Sequence, residues 1–127
     1  MRTRPSKRAL VLALALALGA AGCASGGGGE RPAGSSSTRI VQAELEPLGQ
    51  LDALQAVQRL RARWLQSRSG LEAPVLYVDG TRRGPADELR FLRADEIERM
   101  EYMSPSDATT RFGTGHTGGA ILVTSIR

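Results

Sequence analysis

The chain has 127 residues, with 17 Lys and Arg against 13 Asp and Glu, one histidine and one cysteine. One cysteine excludes an internal disulfide framework, and one histidine beside it excludes the familiar Cys/His zinc clusters. The net charge of +4 is confined to the front end. Arg2, Arg4, Lys7 and Arg8 form a positive n-region, and 17 basic residues less these four leave 13 against 13 acidic ones. The remainder is balanced, so no nucleic-acid footprint is expected, since that would need clustered net positive charge.

Behind the n-region, Ala9–Gly22 is an apolar run ending in small residues, the pattern of a secretory signal. It is shorter than the roughly 18 to 20 residues that span a bilayer. Cys23 follows Ala20-Ala21-Gly22. This junction resembles a bacterial lipobox, with Ala20 where the family prefers leucine. The resemblance implies that residues 1–22 are a lipoprotein signal peptide and that Cys23 becomes the acylated first residue of the mature chain. A permanent membrane association would follow, because each buried methylene contributes about 0.8 kcal/mol. Ala24 instead of Asp at the next position resembles the sorting signal for the outer membrane, on its periplasmic side.

Residues 24–38 are rich in Gly, Ser and Pro without periodic apolar positions. They read as a flexible tether of roughly 20 Å average reach. The folded part is then expected over 39–127, a small α+β domain with a mixed sheet and two or three helices. Arg39–Gln42 reads as a short edge strand. Leu48–Gln66 reads as a helix, with Leu51, Leu54, Val57, Leu60 and Trp64 as its apolar stripe. Arg59, Arg61 and Arg63 read as its solvated face, Arg68 adds to the positive C-terminal end, and Gly70 is the expected stop.

Val75–Val78 is an apolar strand closed by Asp79-Gly80, a two-residue turn signal, with Thr81-Arg82-Arg83 as the return strand. Pro85 to Leu92 predicts a brief helix. Ala94–Met103 is open between helix and strand, with helical propensity stronger in its first half. Ser104-Pro105-Ser106-Asp107 predicts an N-terminal cap, and Phe112-Gly113 the end of that short helix. Ala120–Ile126 is the clearest strand, expected at a central position of the sheet.

The stretch Phe112–Ser125, F-G-T-G-H-T-G-G-A-I-L-V-T-S, gathers four glycines around the sole histidine. A phosphate loop would place such glycines before a helix, and a Lys-Ser/Thr pair would follow them. Here they follow a helix and lead into a strand. His116 has no second ligand for a metal and no nucleophile pair, so it reads as an exposed loop residue. Gly113, Gly115, Gly118 and Gly119 read as a tight reversal.

Three segments together resemble the plug domain of TonB-dependent outer-membrane receptors. They are I-E-R-M-E-Y (97–102), A-T-T-R-F-G (108–113) and G-G-A-I-L-V-T (118–124), with V-L-Y-V-D-G (75–80) in support. The resemblance covers most of 39–127 and implies that Arg99–Met103 is a strand. Two departures stand out. Pro105 replaces a common glycine, and Arg127 falls where the family's barrel would begin.

The function expected is a lipid-anchored, non-catalytic binding module without cofactor or metal. Its partners would be the membrane, through the anchor, and an outer-membrane barrel or another envelope protein. The expected contact surfaces are Asp79, Gly80, Arg82 and Arg83 on one turn, and Arg111, Phe112, Gly113, Gly115, His116, Gly118 and Gly119 on the glycine loop. The alternatives are a structural envelope lipoprotein without ligand, or a small enzyme or enzyme subunit using carboxylates such as Asp79, Asp87, Glu88 or Asp107.

Overall fold

The computed structural model describes residues 29–66 and 72–127. The signal peptide, Cys23, the first part of the tether, Arg68 and Gly70 lie outside them. Arg31–Arg127 forms one compact unit, and its fold is α+β. Three short α-helices, α1 (Gln42–Leu45), α2 (Ala53–Arg61) and α3 (Pro105–Phe112), accompany strands β1 (Arg39–Val41), β2 (Val75–Val78), β3 (Thr81–Pro85), β4 (Ile97–Met103) and β5 (Ala120–Ser125). Short stretches of 3-10 helix occupy Glu46–Leu48, Ala62–Leu65, Ala86–Phe91 and Ala94–Glu96.

The five strands form one mixed sheet in the order β1-β4-β5-β2-β3. β5 takes the middle, parallel to β2 and antiparallel to β4. Its apolar run is explained by that position, because both of its faces are covered over part of its length. On one face Ile40, Leu76, Val78, Ile97, Met100, Ile121 and Val123 pack with Ala53, Ala56 and Val57 of α2, and with Leu45, Leu89 and Trp64. On the other, Val75, Tyr77 and Ala120 pack with Ala108 of α3, joined by Met103, Phe112 and Leu122.

Both sheet edges are blunted against further pairing. At β1, Arg39 exchanges both backbone bonds with Ser36, and the Val41 amide donates to Glu44 Oε2. At β3, the pairing is irregular between Leu76 and Tyr77, Arg82 and Arg83 are exposed, and Pro85 ends the strand.

The predicted helix over Leu48–Gln66 is shorter than its apolar stripe. Leu51 and Ala53 bond instead to the 92–94 segment, through Ala53 N to Leu92 O and Ala94 N to Leu51 O. Asp52 then caps α2 by accepting from the Gln55 amide at 2.8 Å. The brief helix expected from Pro85 to Leu92 forms as 3-10 helix over Ala86–Phe91. The ambiguous 94–103 segment divides, with a 3-10 turn for three residues and a strand thereafter. Ser104 caps α3 as expected, accepting from Asp107 N at 3.2 Å, with Pro105 in its first turn and Gly113 (φ 91°) at its end.

The contacts of this unit also begin earlier than Arg39. Residues 35–38, read as tether, are fastened to the domain by hydrogen bonds through Arg61, Trp64 and Tyr102.

Candidate functional site

The two expected contact surfaces lie at opposite ends of the sheet. β5 runs parallel to β2 with Ala120 opposite Val75 and Val123 opposite Val78. The glycine loop therefore meets the start of β2, while Asp79-Gly80 leaves its far end.

At the far end, Asp79 (φ 48°) and Gly80 (φ 81°) both take positive φ, as a two-residue hairpin turn requires. Asp79 also ties the turn to β5. Its Oδ1 accepts from the Ser125 amide at 3.0 Å, and Ser125 Oγ donates to Oδ2. The Ser125 hydroxyl, then its amide, with help from Arg127 and Arg83, hold the exposed Asp79 carboxyl below the usual carboxylate range. Arg82 and Arg83 are exposed beside the turn.

At the other end the glycine loop carries an aromatic cluster. Phe112 stacks on Tyr77 with centroids 4.1 Å apart and rings 14° from parallel, and Arg111 stands 5.2 Å over the Phe112 ring. His116 lies 5.7 Å from Phe112 and 6.0 Å from Tyr77. It is only 3% exposed, which corrects the expectation of an exposed loop histidine. Gly113 and Gly115, at φ 91° and 92°, fold the loop back so that the imidazole reaches inward.

The imidazole's two nitrogens are both engaged. Nδ1 lies 2.9 Å from Gly113 O, and Nε2 2.9 Å from the Tyr77 hydroxyl. A carbonyl can only accept, so Nδ1 carries a proton, and in the neutral ring Nε2 then accepts from the Tyr77 hydroxyl. In this arrangement neither nitrogen is left to act as ligand or base.

Gly118 and Gly119 do more than turn the chain. A Cβ on Gly118 would stand 1.9 Å from Glu72 O, and one on Gly119 would stand 2.5 Å from Met103 O. The pair is wedged between the strand approaching β2 and the end of β4. Val75 N donates to Gly119 O, and the Tyr102 hydroxyl donates to Gly118 O at 3.2 Å.

Beside this wedge is a cleft of about 340 Å³, lined by Thr38, Trp64, Glu72, Tyr102, Pro105, Gly118 and neighbours. Trp64 and Tyr102 stack at 6.0 Å and 25° on one side of it. The cleft has an aromatic floor and hydroxyl-rich walls, a form suited to binding. Of the seven expected contact residues on the glycine loop, Gly118 lines the cleft, while Asp79, Gly80, Arg82 and Arg83 stand at the opposite end of the sheet.

Several of the chain's carboxylates have structural partners. Glu101 pairs with Arg39 at 2.6 Å, Asp95 with Arg93 at 2.8 Å, and Asp107 accepts from Ser104 Oγ at 2.7 Å. The Arg93 guanidinium holds Asp95 below the ordinary carboxylate range. Sequence reasoning missed the Glu44–Arg61 pair, 3.0 Å apart with side chains 8% and 10% exposed. Glu44 stands three residues after Val41, whose amide it caps, and that spacing is a readable signal. Nothing local marks Arg61 as its partner.

No protein-family model, curated protein or solved structure matches the chain.

Proposed function

We propose that this protein is a lipid-anchored, non-catalytic envelope module with a plug-like domain, which binds a partner through its glycine-loop end. Cys23 is the acylated residue, the outer membrane's periplasmic face is the location, and the partner is a barrel or another envelope protein. The observation that carries this reading is the placement of the segments resembling a receptor plug. Residues 97–102, 118–124 and 75–80 fall on β4, β5 and β2, three adjacent strands. The loop joining the second segment to α3 borders the cleft. The carboxylate pairings above favour binding over acid-base chemistry, since each of those groups already has a structural task.

The test is site-specific photo-crosslinking in native membranes. A crosslinker at Gly115, where an added Cβ meets nothing within 4 Å, is expected to give a discrete adduct with an envelope protein. A crosslinker at exposed Arg90, on the 3-10 turn across the sheet, gives none. Equal labelling from both positions, or no adduct from Gly115, would sink the proposal.

A further inference from the structure

Residues 35–38 are held in an unusual way. The first strongly apolar residue of the unit is Ile40, which is fully buried. Before it, Ser36, Ser37 and Thr38 are exposed and bury no apolar side chain. Polar contacts alone fasten them. Three successive backbone carbonyls each meet a donor from the fold. Ser36 O accepts from Arg61 Nε at 3.0 Å, Ser37 O from Trp64 Nε1 at 2.9 Å, and Thr38 O from the Tyr102 amide at 2.9 Å. Ser35 Oγ bridges the ion pair, donating to Glu44 Oε2 at 2.7 Å and accepting from Arg61 Nη2 at 2.9 Å.

This polar segment is also a partition. The cleft of about 340 Å³ on one side and a second recess of about 300 Å³ on the other share Ser37, Arg63 and Trp64 in their walls. Without the segment, the two recesses would join into one trough floored by Trp64 and Tyr102, with Arg61 and Arg63 along it.

We propose that Ser35–Thr38 is a releasable clasp, with Arg61 as its catch, and that its opening uncovers Trp64 and merges the two recesses. Elements held by few buried apolar contacts open at far lower cost than the core, and the burial pattern divides sharply between Arg39 and Ile40. Opening leaves β1 in place, because Ile40 is seated in the core and Glu44 keeps its bond to Val41 N. The clasp deepens the binding reading by making the size of the same cleft variable. Its test observes the clasp itself, so it and the binding reading fail separately.

Trp64 is the only tryptophan in the chain, so its indole N–H gives a single isolated signal. In the full chain in detergent micelles, that N–H is expected to exchange with solvent at least about 100-fold faster than the β5 amides, with little dependence on denaturant, as local opening requires. Exchange at the β5 rate, or with the denaturant sensitivity of global unfolding, overturns the proposal. As a second measurement, Arg61→Lys keeps a cation for Glu44 but loses the planar fork, and Ser35→Ala removes the bridging hydroxyl. Each is expected to raise acrylamide quenching of Trp64 by about threefold while β5 exchange stays unchanged. Quenching equal to the parent's in both variants also overturns it.

Discussion

Gly119→Ala tests how tightly the glycine loop is built into the sheet. Two costs combine at this position. Gly119 sits at φ 86°, where a Cβ is strained, and the added methyl carbon would stand 2.5 Å from Met103 O and 2.9 Å from the Tyr102 hydroxyl oxygen. Left-handed backbone costs a non-glycine residue about 1–2 kcal/mol, and forcing an extra carbon into packed surroundings costs about 1–3 kcal/mol. The sum is about 3 kcal/mol, a large share of the stability of a small domain. For a unit of about 97 residues this lowers Tm by about 12–24 °C. Gly115→Ala is the internal control, because it has φ 92° with nothing within 4 Å of the added Cβ. It bears only the backbone cost, about 1–2 kcal/mol. Urea unfolding followed by far-UV circular dichroism measures both. Equal losses in the two variants, or a loss below about 1 kcal/mol for Gly119→Ala, would refute the wedge account.

Other outcomes follow from single contacts. Arg61→Met strands the Glu44 carboxylate in a nearly buried site and is expected to cost about 3–5 kcal/mol, most of it recovered when Glu44→Met is added; denaturant midpoints of the four-member cycle decide this. Tyr77→Phe leaves His116 Nε2 buried without a partner and costs about 1–3 kcal/mol in the same assay, whereas an exposed histidine would make the change nearly neutral. Asp79 is held below the ordinary carboxylate range chiefly by the Ser125 hydroxyl. A group with a lowered folded pKa stabilises above its unfolded value and loses that contribution as pH falls through the folded value. Ser125→Ala is therefore less stable than the parent near neutral pH, and thermal melts converge as the pH drops below about 4. A gap that is constant with pH would remove Asp79 from the explanation.

Much of the fold was legible because its signals are local. The run Ala120–Ile126 reads as a covered strand, Asp79-Gly80 as a turn needing positive φ, and Ser104-Pro105 as a helix start; the strand forms over Ala120–Ser125, and the turn and the helix start are where expected. The misreadings concern long-range partners. The stripe over Leu48–Gln66 is genuine, yet Leu51 and Ala53 are claimed by backbone bonds to a segment some 40 residues away. Arg61 looks like one more solvated arginine until Glu44 and the serines arrive from the start of the domain. His116 looks exposed because its neighbours are small and polar, and only the fold brings Tyr77 to its ring. The serine run 35–37 has the composition of a linker, and no local feature announces three donors waiting for its carbonyls. The glycine loop was legible as a tight reversal, while the cleft was not, since its walls come from five separate segments.

The claim on which the functional account rests is acylation at Cys23. Intact-mass spectrometry of the protein purified from membranes reads it directly. The account predicts a chain beginning at Cys23, heavier than the peptide by a diacylglyceryl group and its acyl chains. A chain of unmodified peptide mass, or one that still carries residues 1–22, would contradict it.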